Sequence, residues 1–433
     1  MRTATTTLHQ PATPAHAKRA LLARHHVVVP SLRVAEAAAG SVFSAARLRG
    51  PIARDVIAQV TGLSIATVNR QVTALLDAGV LRERADLAVS GAIGRPRVPG
   101  EVNHEPYLTL GIPIGARTTS IVAPDLFGRT LDVVETPTPR GPQTAALASL
   151  AASARRYLSR WHRRRALWVG VAAGGVVDSA TGYLDHLRLG WSDAPVGPVL
   201  AEALGLPVSV ASHVDAMPAA EHLLGGRRLP VSEIAGAAPA SASTSLYVYA
   251  RETVGYALSI GGRVHSPSSG PGTIAALPAD SELLGGTGQL ESTVSDEAVL
   301  IAARKARIIS GDGPASTMQA VLRAARQGNE PAQALLAERA RVLGQAVALL
   351  RDMLNPDDLV VGGQAFTEYP EGMELVEAAY AERSVMAPRQ IRVTAFGNRV
   401  QEAGAGVVSL VGLYADPIGA MKRALNRRPE VSA

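Results

Sequence analysis

The run VSVASHVDAMPAAEH, residues 208–222, closes a β-branched stretch with Ser212-His213 and continues into an Ala-rich helix carrying Asp215. The end of a buried strand is where α/β enzymes usually place a reactive group. An imidazole there is able to take a proton near neutral pH. His213 therefore reads either as a general base or as a hydrogen-bonding residue at a strand end. A second constellation is Ser64, Ala66, Thr67, Asn69, Arg70 and Thr73. These small and polar side chains near a helix start suit base edges and phosphates in a DNA major groove. A third is Gly94-Arg95-Pro96-Arg97, a compact, stiff segment whose Arg95 and Arg97 suit a minor groove or phosphates.

The elements that must position the second and third groups are legible. In Pro51–Glu83, Ile52, Val56, Ile57 and Val60 share one helical face. Ser64 is placed to cap a second helix, whose expected buried stripe is Ile65, Val68, Val72, Leu75 and Leu76, with Gly79 as terminator. Ala58 precedes Gly62 by four residues, which lets two helices approach and the chain turn. The following VLRERADLAVSGAIGRPRVPG reads as two short strands around a glycine turn, a wing. A helical pair with a merely solvated polar face fits the same periodicity, but the cap, the turn spacing and the basic hairpin favour a winged helix-turn-helix.

Charge supports that reading. Residues 1–100 carry 13 Lys/Arg against 5 Asp/Glu, and the remaining residues 30 against 32. The positive excess lies in the first quarter, as a segment that meets a polyanion requires. Residues 1–30 mix Thr, Pro, His and Arg without apolar periodicity, which predicts a disordered basic tail; helical patterning begins near Ser31. The expected organisation is the tail at 1–30, the DNA-binding head at 31–100 and a large domain at 101–433. With 47% hydrophobic residues, 433 positions suffice for two or three domains. The absence of cysteine excludes disulfides, thiolate zinc sites and cysteine nucleophiles. No apolar run approaches the ~20 residues of a membrane span. The first twenty residues lack a signal-peptide core, so a cytoplasmic location without membrane association is expected.

From Pro106 the texture becomes α/β. LTLGIPIGARTTSIVAPDLFGRTLDVVETPTP predicts a strand meander, followed by a helix from about Gln143 to Arg165 and the buried strand ALWVGVAAGGVVD. Further strands are expected in PVSVAS, SLYVYARETVGYALSIGGRV and DDLVVGGQAF, and packed helices between Ala298 and Leu354.

The ordered motifs LGIPIGART, GVAAGGVVD, VASHVDAMPAAE, SGPGTIAALP, GGTGQLE, NPDDLVVGG and AGAGVVSL resemble the ROK family of repressors and sugar kinases, over about residues 40–415. The resemblance implies a two-lobed, actin-like ATPase fold behind the N-terminal winged helix-turn-helix. It also exposes departures. Where the kinases carry Asp-x-Gly-Gly-Thr, this chain has Pro113, Ile114, Gly115, Ala116 and Arg117. Proline offers neither a carboxylate nor an N–H to phosphate and Mg²⁺. The catalytic Asn-Asp-x-Asn falls on Ser212, His213, Val214 and Asp215. Gly-Glu-x-Gly-His becomes Gly272, Thr273, Ile274, Ala275 and Ala276, and the cysteines of the zinc loop fall on Glu282, Leu284 and Gln289, while Gly285, Gly288 and Glu291 persist. Leucine donates nothing to a metal.

The resemblance with these losses implies a transcriptional regulator of repressor type with a catalytically dead kinase-like domain, no zinc and no ATP. Double-stranded DNA is its expected partner, as a homodimer or homotetramer. Ser212, His213, Asp215 and Glu291 are candidates to line a small-molecule effector pocket. Gly362-Gly363 reads as a structural turn, with approach to an adenosine as the alternative. An active ROK sugar kinase, and a protein scaffold with a vestigial DNA head, are the other readings.

Overall fold

The computed structural model describes residues 27–35, 37–87, 98–225, 243–267, 270–311 and 316–425. The head holds α1 (Ala38–Arg49), α2 (Arg54–Thr61) and α3 (Ile65–Asp77). Gly62 ends α2 in the left-handed region at φ 68°, its N–H bonding Ala58 O at 2.9 Å. Ser64 Oγ then accepts from Thr67 N at 3.2 Å and caps α3. Replacing Ser64 with Ala orphans that N–H, so the head should lose about 1 kcal/mol; faster amide exchange confined to the first turn of α3 is the expected result. Gly79, at φ 75°, follows the end of α3 as the spacing predicted.

β1 (Leu81–Glu83) pairs antiparallel with β2 (Gly100–Val102), which forms the base of a wing. Arg95 and Arg97 lie outside the described residues.

Lobe one begins with the predicted meander, β3 (Tyr107–Ile114), β4 (Thr118–Pro124) and β5 (Thr130–Pro137). Next come α4 (Gln143–Leu158), β6 (Arg165–Ala173), and a small sheet of β7 (Val176–Asp178), β8 (Tyr183–His186) and β9 (Trp191–Ala194). α5 (Val196–Leu204), β10 (Val208–Ser212) and α6 (His213–Leu223) complete the lobe. α4 stops short of Arg165, which opens β6 instead. The sheet order is β10-β6-β3-β4-β5.

Lobe two repeats this plan. Its meander is β11 (Thr244–Ala250), β12 (Val254–Ile260) and β13 (Arg263–Val264), and a helical layer follows: α7 (Leu290–Val294), α8 (Asp296–Lys305), α9 (Met318–Arg326) and α10 (Glu330–Leu354). β14 (Asp358–Gly362), α11 (Gln364–Thr367), α12 (Met373–Arg383) and β15 (Ile391–Val393) come next, in the sheet order β13-β12-β11-β14-β15. Each sheet thus has its first strand central, the second and third on one side, and two parallel strands on the other. α13 (Val400–Ala415) returns to lobe one, and α14 (Pro417–Leu425) returns to the head.

Two expectations are corrected. Ile65 is 50% exposed, so the buried stripe of α3 is Val68, Val72 and Leu75. Side chains tilt toward a helix N-terminus, which throws that of a first-turn residue beyond the packed face. Residues 27–30 do not belong to a disordered tail, and Ser31 opens no helix. Val27 bridges Val208 of β10 and Arg33 bridges Arg263 of β13, so one extended strap ties the outer edges of both lobe sheets. Three valines before Pro30 favour extended backbone, and both edges offered free ladder groups. The head is also not a separate globule. Phe43, Val68 and Leu75 share one apolar cluster with Trp168, Val214, Val407 and Met421.

Candidate nucleic-acid interface and interlobe cleft

On α3, Ser64, Ala66, Asn69, Arg70 and Thr73 are exposed while Val68, Val72 and Leu75 anchor the helix. Thr67 is partly buried, and its Oγ1 sits 3.0 Å from Ser64 Oγ, so both hydroxyls serve the helix start. Asn69 and Arg70 are left as the long polar groups of the face, with Ile65 apolar beside them. Sequence reasoning missed Arg54 at the start of α2. Its guanidinium reaches Asn69 Oδ1 and Glu83 Oε1, each at 3.4 Å, and so orients Asn69 from the neighbouring helix. No spacing rule within α3 pointed to it.

The second site is a cleft of about 290 Å³ between the lobes. Lobe one contributes Pro113–Thr118, Gly174, Gly175, His186–Arg188 and Ser212–Val214; lobe two contributes Tyr249, Arg251–Gly255, Pro271–Thr273 and Glu291, and α13 adds Gln401. Ser212, His213 and Glu291 therefore line the same cleft. Asp215 does not join them. In the first turn of α6, it lines an adjoining hollow with Ser266 and His265, which shares Ser212 and Pro271 with the cleft. Burial raises its carboxyl to about 6, against the opposing effects of Ser266 and His265.

His213 packs its ring against Tyr249, centroids 5.5 Å apart, and both His213 and His186 converge on the Cβ-less face of Gly174. Burial above all, then the positive influence of His186 and Arg251, brings His213 down to about 4. Its ring is thus neutral at pH 7. Because the unfolded ring titrates near 6.5, the stability from burying a neutral His213 is complete above that pH and is lost as pH falls toward 4. Ring resonances of His213 should titrate with a midpoint near 4, and His213→Gln should flatten the loss of stability between pH 6.5 and 4. A midpoint near 6.5 would contradict the burial.

The charged lining is Arg117, Arg188 and Arg251 against Glu252 and Glu291. Arg188 donates to Glu252 O at 2.9 Å and lies 3.9 Å from Glu291, whose other oxygen accepts from Val254 N at 3.2 Å. Arg251 donates to Gln401 Oε1 at 3.0 Å, and Gln401 Nε2 donates to the Tyr249 hydroxyl at 2.7 Å. Arg251 Nε and His213 Nε2 are buried with no partner among the described residues. His186, Arg188, Arg251 and Gln401 were not anticipated, because nothing in their local spacing marks them. Both cleft glutamates face arginines, Glu252 with Arg117 at 3.7 Å and Glu291 with Arg188 at 3.9 Å, and Pro113 lines the cleft near the end of β3. Leu284 is buried in an apolar cluster with Val299, Leu322 and Leu335, and its side chain offers no donor to a metal. Gly362 and Gly363 lie tight against the Tyr247 and Tyr249 rings, where any Cβ collides, so the turn is required by packing.

A two-lobed α/β domain with a repeated sheet plan, a cleft between the lobes and a winged helix-turn-helix docked on lobe one define a class. The family model "ROK family" matches residues 109–412, and the chain belongs to that family. A protein of Mycobacterium tuberculosis named as a transcriptional regulator is 72% identical over 413 residues, covering 94% of this chain and 92% of the relative. The Escherichia coli protein named DNA-binding transcriptional dual regulator NagC is 22% identical over 333 residues, 73% of this chain and 77% of its own. Among solved structures, a ROK family transcriptional regulator described as a homologue of the E. coli Mlc protein aligns with TM-score 0.68. It is 22% identical and covers 89% of this chain and 98% of its own. Among the described residues no single helix is long and apolar enough to cross a membrane.

Proposed function

We propose that this chain is a sequence-specific DNA-binding transcriptional regulator whose ROK lobes have given up sugar phosphorylation. The observation that carries the reading is the face of α3, polar and exposed at Asn69 and Arg70 and held rigidly by its buried opposite side. Rigid presentation of a few base-reading side chains is what major-groove recognition needs. The high identity to a protein named as a transcriptional regulator supports the same conclusion. Asn69 and Arg70 read base edges, Ile65 and Ala66 meet thymine methyl groups, and the wing with Arg95 and Arg97 grips the backbone. Two or four copies associate so that paired half-sites are read together.

The lobes act without zinc or ATP. Leu284 stands in the metal loop and Pro113 in the phosphate loop, and neither residue supplies the donor its position demands. The cleft instead takes a small-molecule effector, contacted by Ser212, His213 and Glu291 and by the unpartnered nitrogens of His213 and Arg251.

Selection of bound duplexes from a random DNA pool by the purified protein tests the central claim. Enrichment of a sequence with two related half-sites is the expected outcome. A folded protein that enriches nothing would leave the lobes as a protein scaffold with a vestigial head.

A further inference from the structure

Two helices run from the cleft to the head. α6 begins at the cleft with Ser212 as its cap and His213 as its first residue, and ends beside the head at Leu223. α13 has Gln401 in the cleft, bonded to Arg251 and Tyr249, and Tyr414 beside the head near its other end. At ~1.5 Å per residue their 11 and 16 residues span roughly 16 and 24 Å. They are packed closely along the way: a Cβ added at Gly404 of α13 would stand 3.3 Å from Ala216 Cβ of α6.

One head residue holds the far ends of both. Arg47, in the last turn of α1, is only 8% exposed. Its Nη2 donates to the Leu223 carbonyl at 2.9 Å, at the negative end of the α6 dipole, and its guanidinium lies 4.4 Å over the Tyr414 ring. Arg47 Nε has no partner among the described residues. At Gly40 of the same helix, an added Cβ would lie 2.8 Å from the Tyr414 and Ala415 carbonyl oxygens, so the α1 backbone rests directly on the end of α13. An apolar side chain would seal this junction without the cost of burying a cation. A guanidinium shared between a carbonyl on one helix and an aromatic face on the other instead makes head placement depend on how the two helix ends lie.

We propose that α6 and α13 are paired struts that carry the shape of the cleft to the DNA head, with Arg47 as the positioning residue that latches the head to both. The inference requires neither an identified effector nor an operator. Its failure would leave DNA recognition standing, and failure to select DNA would leave the coupling standing.

The absence of cysteine allows two labels to be placed uniquely. Cysteines at exposed Gln59 of α2 and exposed Glu202 of α5 take spin labels, and pulsed electron resonance reads the distance between them. The perturbation is Gly174→Val, a wedge in the cleft: a Cβ at Gly174 already stands 3.1 Å from His213 Cε1 and 3.3 Å from His186 Nε2, and the two added methyls press on the ring carried by the first residue of α6. The wedge should move the distance distribution by roughly 2 Å or more. The movement should vanish with Arg47→Met and persist in part with Arg47→Lys, which can still donate to Leu223. A residue that only stabilised the junction would lower the melting temperature when replaced, yet leave the response to the wedge unchanged. The proposal is overturned if the wedge leaves the distribution unmoved with Arg47 present, or moves it equally in the Arg47→Met chain. Should Gly174→Val fail to fold, Gly174→Ser presses on the same His213 and His186 rings with less bulk and is read by the same criteria.

Discussion

A chain carrying both Asn69→Ala and Arg70→Ala is expected to bind its selected operator roughly 30- to 20,000-fold more weakly, about 2–6 kcal/mol for two base-reading side chains. Both residues are exposed, and neither packs into the apolar cluster that joins head and lobes. Their removal should therefore leave the melting temperature within a degree or two. The loss is expected on the selected sequence above all, since generic duplexes are held mainly through phosphates. Arg54 loses its weak contact to Asn69 in this variant and keeps its contact to Glu83, so the start of α2 remains tethered. Titration of operator and scrambled duplexes at two salt concentrations separates the effects. Undiminished operator affinity would remove α3 as the reading helix.

Gly170→Val should cost about 3 kcal/mol or more of folding stability, seen as a lower denaturant midpoint. Gly170 sits in β6, an interior strand of the lobe-one sheet, in register with Gly111 of the central β3. A Cβ at Gly170 would fall 2.2 Å from Ser409 N and 2.6 Å from Ala405 O, both backbone atoms of α13. At Gly111 it would meet Gly406 N at 2.8 Å. Backbone in a helix anchored at both ends has no rotamer by which to yield, and the Thr109–Ser409 hydroxyl contact at 2.7 Å pins it further. The paired glycines are therefore a bed for α13. Because that helix ends under the head, the same variant should lose DNA binding at temperatures where the parent chain is fully folded. An unchanged midpoint would mean that α13 docks less tightly than the structure shows.

Much of this protein was determined by its sequence alone. The turn between α2 and α3, the Ser64 cap and the stripe Val68-Val72-Leu75 are local signals, set by spacing within a dozen residues. The meander from Tyr107 to Pro137 and the strand end at Ser212 were legible for the same reason: side-chain period and turn residues act over short range, whereas the single strand read through Asp178 is split after Ala173 between two sheets. The ordered motifs then carried the family.

Tertiary structure decided the rest. It exposed Ile65, turned Asp215 away from His213, and brought His186, Arg188, Arg251 and Gln401 into one cleft. It also laid residues 27–34 across both lobes and seated Arg47 on Leu223, 176 positions away. Periodicity states which face of a segment is apolar but not which other segment will cover it. That choice depends on where sheet edges are left unpaired and where helix ends meet, and those places exist only once the lobes have packed.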